Sequence, residues 1–216
     1  RLNSVPPPPA ADSAVIEVDA CGLCGSDLHF IDGSALTAHL PITLGHEATG
    51  TVVYSPDSAL AVGTPVVAEI GGFCHTCVRC REGRPNLCQR VCVLGIDVDG
   101  GFADQIAVPV ESLVVRPDGV PPAAAATASD AGATALHAIE RRARVAPDDS
   151  VLIIGAGGLG TYGLQWARIA GAGLVIVADT DPEALTRAKS LGADELILVE
   201  PGVSVGRQVK LLSDGG

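Results

Sequence analysis

The 216-residue sequence predicts an α/β protein in two parts, a β-rich part over residues 1–122 and a parallel, doubly wound sheet begun over residues 123–216. Three observations carry this. Short strand-like runs broken by Gly, Pro and Asp turns fill the first part. An Ala-rich helical stretch opens the second. After it, apolar strands alternate regularly with amphipathic helices, the pattern of a parallel sheet covered on both faces.

In chain order, Pro6–Pro9 form a short stiff lead-in. Ala14–Val18, Gly50–Tyr54 and Thr64–Ala68 read as strands of a barrel-like domain. Ala123–Val145 reads as a helix whose basic end, Arg141, Arg142 and Arg144, suits the negative pole of the helix dipole. Ser150–Ile154, Leu174–Ala178 and Glu195–Val199 read as strands, with Gly158–Ala170 and Pro182–Leu191 as the helices between them.

Composition narrows the function classes. The net charge of −11, from 14 basic against 25 acidic residues, argues against nucleic acid and anionic membranes as partners. No apolar run approaches the roughly 20 residues of a membrane helix, and no signal-peptide pattern is present. Of the seven cysteines, four fall within one short stretch, Cys74 to Cys88. A reduced, cytoplasmic, metal-binding chain explains this better than a disulfide scaffold.

Ser150–Ile154 runs into the glycine pattern Gly155, Gly157, Gly158, Leu159, Gly160. Gly155 suits a tight turn, Gly157 lets backbone approach a pyrophosphate, and Gly160 lets helix and strand pack closely. The helix N-terminus then offers N–H groups to the phosphates. Asp179, at the end of the next strand, would accept hydrogen bonds from both ribose hydroxyls and repel a 2′-phosphate, which favours NAD over NADP.

Cys74, Cys77, Cys80 and Cys88 are spaced C-x2-C-x2-C-x7-C, with Gly71, Gly72, Gly83 and Pro85 at the turns. Four thiolates close a tetrahedral shell and leave no room for substrate, so this zinc would be structural. His75 lies within the cluster and reads as a surface residue. A second set is more scattered. Cys24 and His46 are good zinc ligands, but alone they are as readily buried structural residues.

The segments C-G-L-C-G-S-D-L-H, L-G-H-E-A-T-G, the four-cysteine lobe, D-G-G-F-A-D and G-A-G-G-L-G stand in the order found in zinc-dependent medium-chain dehydrogenases, which the sequence resembles over essentially its whole length. That resemblance implies a GroES-like catalytic domain over 1–122, and the first half of an NAD-binding Rossmann domain over 123–216. It implies Cys24 and His46 as the first two catalytic zinc ligands, Glu47 as a carboxylate able to approach the metal, and Asp27 as the partner orienting His46. Ser26 and His29 match the proton relay. The family often has a cysteine four residues before a threonine; here Asp130 stands four before Thr134, and becomes the third ligand with Thr134 near the cofactor. The alternative is that Asp130 only caps a helix starting at Ala131. His137, Cys21, Cys92 and His39 receive no catalytic role: His137 is expected to pack, Cys21 to sit in the core of a strand end, Cys92 to be a lone buried thiol. The position after the first ligand can be basic in the family and is Gly25 here.

What the resemblance implies for function is hydride transfer between a secondary alcohol or polyol and NAD, with zinc as Lewis acid and the alcohol proton leaving through Ser26, the cofactor ribose and His29. The expected partners are a small alcohol or carbonyl compound and further copies of the chain, as a homodimer or homotetramer. The chain, ending at Gly216 after three strands of a sheet that has six in this family, reads as a fragment. Two other readings stay open: a zinc-free quinone or enoyl reductase of the same superfamily, and a zinc-stabilised module that binds nucleotide without turnover.

Overall fold

The computed structural model describes residues 13–35, 37 and 39–215. The proline run Pro6–Pro9 lies outside the described residues. The chain divides into two compact units, residues 1–130 and 131–216.

The first unit is built on a five-stranded antiparallel sheet in the order β6-β1-β2-β3-β7. Its strands are β1 (Ala14–Gly22), β2 (Glu47–Tyr54), β3 (Pro65–Ala68), β6 (Gln105–Val108) and β7 (Leu113–Val115). β1 and β2 are longer than their hydrophobic runs predict, because pairing continues to Gly22 opposite Glu47. Irregularities in register between Val15 and Ile16, and between Val18 and Ala20, bend β1 along the way. Ile16, Val52, Val66, Ile106 and Val108 point to one core with Ala48, Ala68 and Leu94, the alternation expected of a sheet buried on one face.

Helix α1 (Gly25–Asp32) follows β1 directly. The cysteine-rich excursion holds a minimal two-stranded ladder of β4 (Gly71–Gly72) and β5 (Cys92–Val93), with the single-turn helix α2 (Val78–Arg81) between them. Helix α3 (Pro122–Thr127) buries Ala125 and Ala126 and packs against β1 and β2. The first compact unit runs through this helix to Asp130.

The second unit has a parallel sheet in the order β10-β9-β8: β8 (Ser150–Ile154), β9 (Leu174–Asp179) and β10 (Glu195–Leu198). These strands, α5 (Gly158–Ile169) and α6 (Pro182–Ser190) lie where the pattern puts them, within a residue or two at each end. Val175 and Val177 of β9 join Leu164, Ala167, Ala184 and Leu185 on one face. Ile176 and Ala178 join Ile197 on the other, against Val203 and Val205 and Val209 of α7 (Val205–Leu212). Burial on both faces is why β9 is apolar at every position from Leu174 to Ala178. The predicted Ala123–Val145 helix is present from Pro122 to Ala143, with wider π-type turns at Ala128–Gly132 and His137–Ala143 around α4 (Ala133–Leu136). It stops at Arg144, in the left-handed conformation at φ 55°. Among the described residues no helix is long and apolar enough to cross a membrane.

Candidate metal centre

Among the described residues, two groups of metal-donor side chains converge, and both fall inside the first unit. The first is Cys74, Cys77, Cys80 and Cys88. Their sulfurs stand 3.4 Å (Cys74–Cys88), 3.5 Å (Cys77–Cys80) and 3.9 Å (Cys74–Cys80) apart. A disulfide needs about 2.05 Å, whereas four sulfurs about 2.3 Å from one zinc lie about 3.8 Å from each other. Backbone N–H groups are already aimed at the sulfurs: Cys74 N–H and Arg90 N–H donate to Cys88 Sγ, and Cys77 N–H donates to Cys74 Sγ.

The electrostatics fit a dication. Backbone donors, Thr76 N–H foremost, pull the Cys74 thiol down to about 5. Burial, then the facing sulfurs of Cys77, Cys88 and Cys74, push Cys80 up to about 12. Four negative charges so close together repel one another, and a dication among the sulfurs would offset that repulsion. His75 is exposed and faces Glu111 at 3.8 Å, away from the ligand set.

The second group is Cys24, His46, Glu47 and Asp130, whose donor atoms all lie within 4.8 Å of one another. Three local devices deliver them. Cys24 is the N-cap residue of α1, and its N–H donates to Asp27 Oδ2 at 2.8 Å. Asp27 is fully buried, and its other oxygen lies 3.6 Å from His46 Nδ1. One carboxylate therefore pins the helix start that carries one ligand and faces the ring of the next. Both Asp27 Oδ1 and His46 Nδ1 are buried with no other hydrogen-bond partner.

His46 and Glu47 sit where the chain enters β2, after Gly45 at φ +100°. The segment 99–102 backs this entry. Gly100, Gly101 and Phe102 donate N–H bonds to the carbonyls of Thr43, Gly45 and Leu44, and Asp99 Oδ1 accepts from Thr43 N–H. Asp130 approaches from the π-type turn Ala128–Gly132, with Oδ2 3.4 Å from His46 Nε2. It is no helix cap, because the helix already begins at Pro122.

The geometry at His46 tests the fit to a metal. With its Nδ1–H toward Asp27, neutral His46 points the Nε2 lone pair at the Asp130 carboxylate. Two acceptors at 3.4 Å repel unless a cation lies between them. In the metal-free state a proton does this: Asp130 first, then Cys24 and Asp27, raise the His46 pKa to about 9 against the opposing effect of burial. The donor set of one thiolate, one imidazole and two carboxylates suits zinc.

The remaining residues singled out by sequence divide cleanly. Ser26 Oγ lies 3.7 Å from Cys24 Sγ. His29, three residues along α1 and so on the same side of the helix, is exposed and bonded through Nδ1 to Ser34 Oγ at 3.0 Å. Cys21 is partly buried against the core beside β2, and burial pushes its thiol up to about 12. Cys92 is half-buried in β5, and His39 bonds through Nδ1 to the Pro41 carbonyl. His137 is exposed, not packed as expected, because the buried face of its helix falls on Ala135 and Ile139.

In the second unit the glycine loop and Asp179 come together. Gly155 turns at φ +89° and donates its N–H to Ala178 carbonyl at 2.8 Å. A side chain at Gly160 would strike the Gly155 carbonyl oxygen, whereas Gly157 faces open space. Asp179 accepts from Ala156 N–H at 2.6 Å and from Asp181 N–H at 2.8 Å, and these bonds hold its carboxyl below the usual range. Its carboxylate is thus held at the loop itself. Thr134 shares an open groove with Leu159 and Gly160.

The sequence assigns no part to Gly22, which lies opposite Glu47, or to Asp99–Phe102, which hydrogen-bond to Thr43–Gly45. The D-G-G-F segment is visible as a motif, but its contact with Thr43–Gly45 is long-range and leaves no periodic trace.

The comparisons agree on kinship. A family model described as the alcohol dehydrogenase GroES-like domain matches residues 10–118. L-galactonate-5-dehydrogenase of Escherichia coli (strain K12) is 36% identical over 178 residues, covering 82% of this chain and 51% of that protein. The crystal structure of galactitol-1-phosphate dehydrogenase from Escherichia coli superposes with a TM-score of 0.86 at 30% identity, covering 99% of this chain and 61% of that one. The alcohol dehydrogenase of the hyperthermophilic archaeon Aeropyrum pernix gives 0.87 at 31% identity, with 100% and 65% coverage. The chain spans about half the length of the curated relative it matches. A match over half the sequence, on a fold that places both donor clusters and the glycine loop as described, shows that this chain belongs to the zinc-dependent medium-chain, alcohol dehydrogenase-like family.

Proposed function

We propose that the protein is a zinc-dependent dehydrogenase that interconverts a secondary alcohol or polyol with its carbonyl compound, using NAD. The observation that carries the proposal is the convergence of Cys24, His46, Glu47 and Asp130, with His46 Nε2 3.4 Å from an Asp130 oxygen. The names of the relatives, sugar-acid, polyol-phosphate and alcohol dehydrogenases, support the substrate class.

Cys24, His46 and Asp130 would hold the catalytic ion, and the four-cysteine lobe the structural one. Bound there, zinc would supply Lewis acidity to lower the pKa of an alcohol toward neutrality, and NAD would supply a hydride acceptor. Asp27 keeps the His46 ring in the tautomer whose Nε2 is free to ligate. Ser26, beside the Cys24 sulfur, would take the alcohol proton and His29 would pass it to solvent. Gly155–Gly160 and the start of α5 would seat the pyrophosphate, with Thr134 nearby and Asp179 at the ribose. A cytoplasmic setting fits seven cysteines with no disulfide; a homodimer or homotetramer rests on the family resemblance alone.

A panel of secondary alcohols, polyols and aldehydes, assayed with NAD and with NADP, tests the reading. Turnover of at least one alcohol that stops when the chelatable zinc is removed supports it. Turnover independent of zinc would favour a reductase of the same superfamily, and nucleotide binding without turnover would favour a binding module.

A further inference from the structure

β1 ends at the metal centre with Gly22 directly opposite Glu47, the first residue of β2. Both are buried. The Glu47 side chain folds across its neighbour. A methyl group placed on Gly22 would overlap Glu47 Oε2 and lie 3.1 Å from both Cβ and Cδ of the same residue, so its three nearest atoms all belong to Glu47.

This sets Gly22 apart from other glycines of the chain. Gly50, Gly71 and Gly160 face backbone carbonyl oxygens that cannot yield. Gly33 and Gly45 hold positive φ angles that disfavour any side chain. Gly22 has neither constraint: its backbone lies outside the left-handed region, and what fills the space beside it is the Glu47 side chain, its carboxylate oxygen nearest and its Cβ and Cδ each 3.1 Å from the added methyl group.

We propose that Gly22 is a positioning residue for the catalytic metal: the space left by its missing side chain is where Glu47 lies, and that placement sets the carboxylate in the donor set as a fourth, displaceable ligand. The inference rests on the assignment of Cys24, His46 and Asp130 as a zinc centre. An alanine at position 22 is compatible with the strand and leaves the sheet intact. It moves the Glu47 carboxylate out of the donor set and leaves the ion on three protein ligands and water.

The test is a double-mutant cycle on the metal-loaded protein with Gly22→Ala, Glu47→Ala and both together, reading the rate of metal loss to a chelator and the visible spectrum of the centre loaded with cobalt. Gly22→Ala is expected to speed loss of one of the two zinc ions about tenfold, the scale of losing a group that supports a metal site, and to shift the cobalt spectrum. Glu47→Ala does the same, and adding Gly22→Ala to it changes neither reading further. The zinc of the four-cysteine lobe is unaffected throughout. A Gly22→Ala protein with wild-type rate and spectrum overturns the proposal, and so do effects that multiply in the double variant. Failure of Gly22→Ala to fold even beside Glu47→Ala also overturns it, since Gly22 then serves the fold. A wild-type protein with one zinc, held by the cysteine lobe alone, overturns instead the assignment of the centre itself.

Discussion

Asp27 offers the sharpest perturbation, because one buried carboxylate serves two donors. Its Oδ2 accepts from the Cys24 N–H at 2.8 Å and its Oδ1 faces His46 Nδ1 at 3.6 Å, with the residue fully buried. Asparagine keeps the shape but has one oxygen and one NH2 group. In either orientation one of the two N–H groups meets a donor. If the NH2 faces Cys24, the helix start loses its cap, at about 1 kcal/mol. If it faces His46, the ring moves its proton to Nε2 and cannot ligate without reversing that choice. Leaving one such group buried and unsatisfied costs about 1–3 kcal/mol, and losing an orienting partner costs about 10–100-fold in metal affinity. Asp27→Asn should therefore lower the unfolding free energy of the metal-free protein by about 1–3 kcal/mol and weaken one zinc, not both, by at least tenfold. Chemical denaturation of the apoprotein and competition with a zinc-binding dye measure the two effects. A variant that keeps wild-type affinity for both ions would refute the reasoning.

Zinc uptake at the same centre should depend on pH. The pKa of His46, raised to about 9 mainly by Asp130, means that a proton must leave its ring before the ion binds. Apparent affinity should rise with pH up to about 9, with proton release seen by calorimetry in buffers of different ionisation enthalpy; affinity that is flat from pH 7 to 9 would count against it. Asp179→Ser should weaken NAD and shift preference toward NADP, read as the ratio of kcat/KM values; a wild type that uses both equally removes the basis for the ribose assignment. Asp194 is raised by burial but lowered more by Val175 N–H and Arg168, so its net shift is downward. Its contribution to stability is present above the ordinary carboxylate pKa of about 3.9 and fades as pH falls through the lowered value. Asp194→Asn should flatten the acid limb of a stability–pH profile, and an unchanged limb would contradict the assignment.

The parts of the fold legible in sequence are those with local rules. Leu174–Ala178 is apolar at every position because both faces of β9 are buried, and Gly155–Gly160 follows a local glycine pattern that joins such a strand to a helix around a phosphate. The cysteine lobe is legible because its ligands are close in sequence, which fixes their spacing. The proposed catalytic donors are not: Cys24, His46 and Asp130 come from a helix cap, a strand entry and a π-type turn, and in the sequence only resemblance connects them. Asp130 looks like a cap when the eye starts the helix at Ala131; the buried Ala125 and Ala126 show that it started earlier. Gly22 was invisible for a related reason. The role proposed for it depends on the residue opposite, and strand register is a tertiary fact.

The central claim is that Asp130 completes a zinc centre with Cys24 and His46, apart from the ion in the cysteine lobe. X-ray diffraction recorded on both sides of the zinc absorption edge tests it most directly, because anomalous difference peaks locate each ion and its neighbours. Two peaks per chain are predicted, one among Cys74, Cys77, Cys80 and Cys88 and one in contact with Cys24 Sγ, His46 Nε2 and an Asp130 oxygen. A single peak in the cysteine lobe, or a second ion that Asp130 does not touch, would contradict the account.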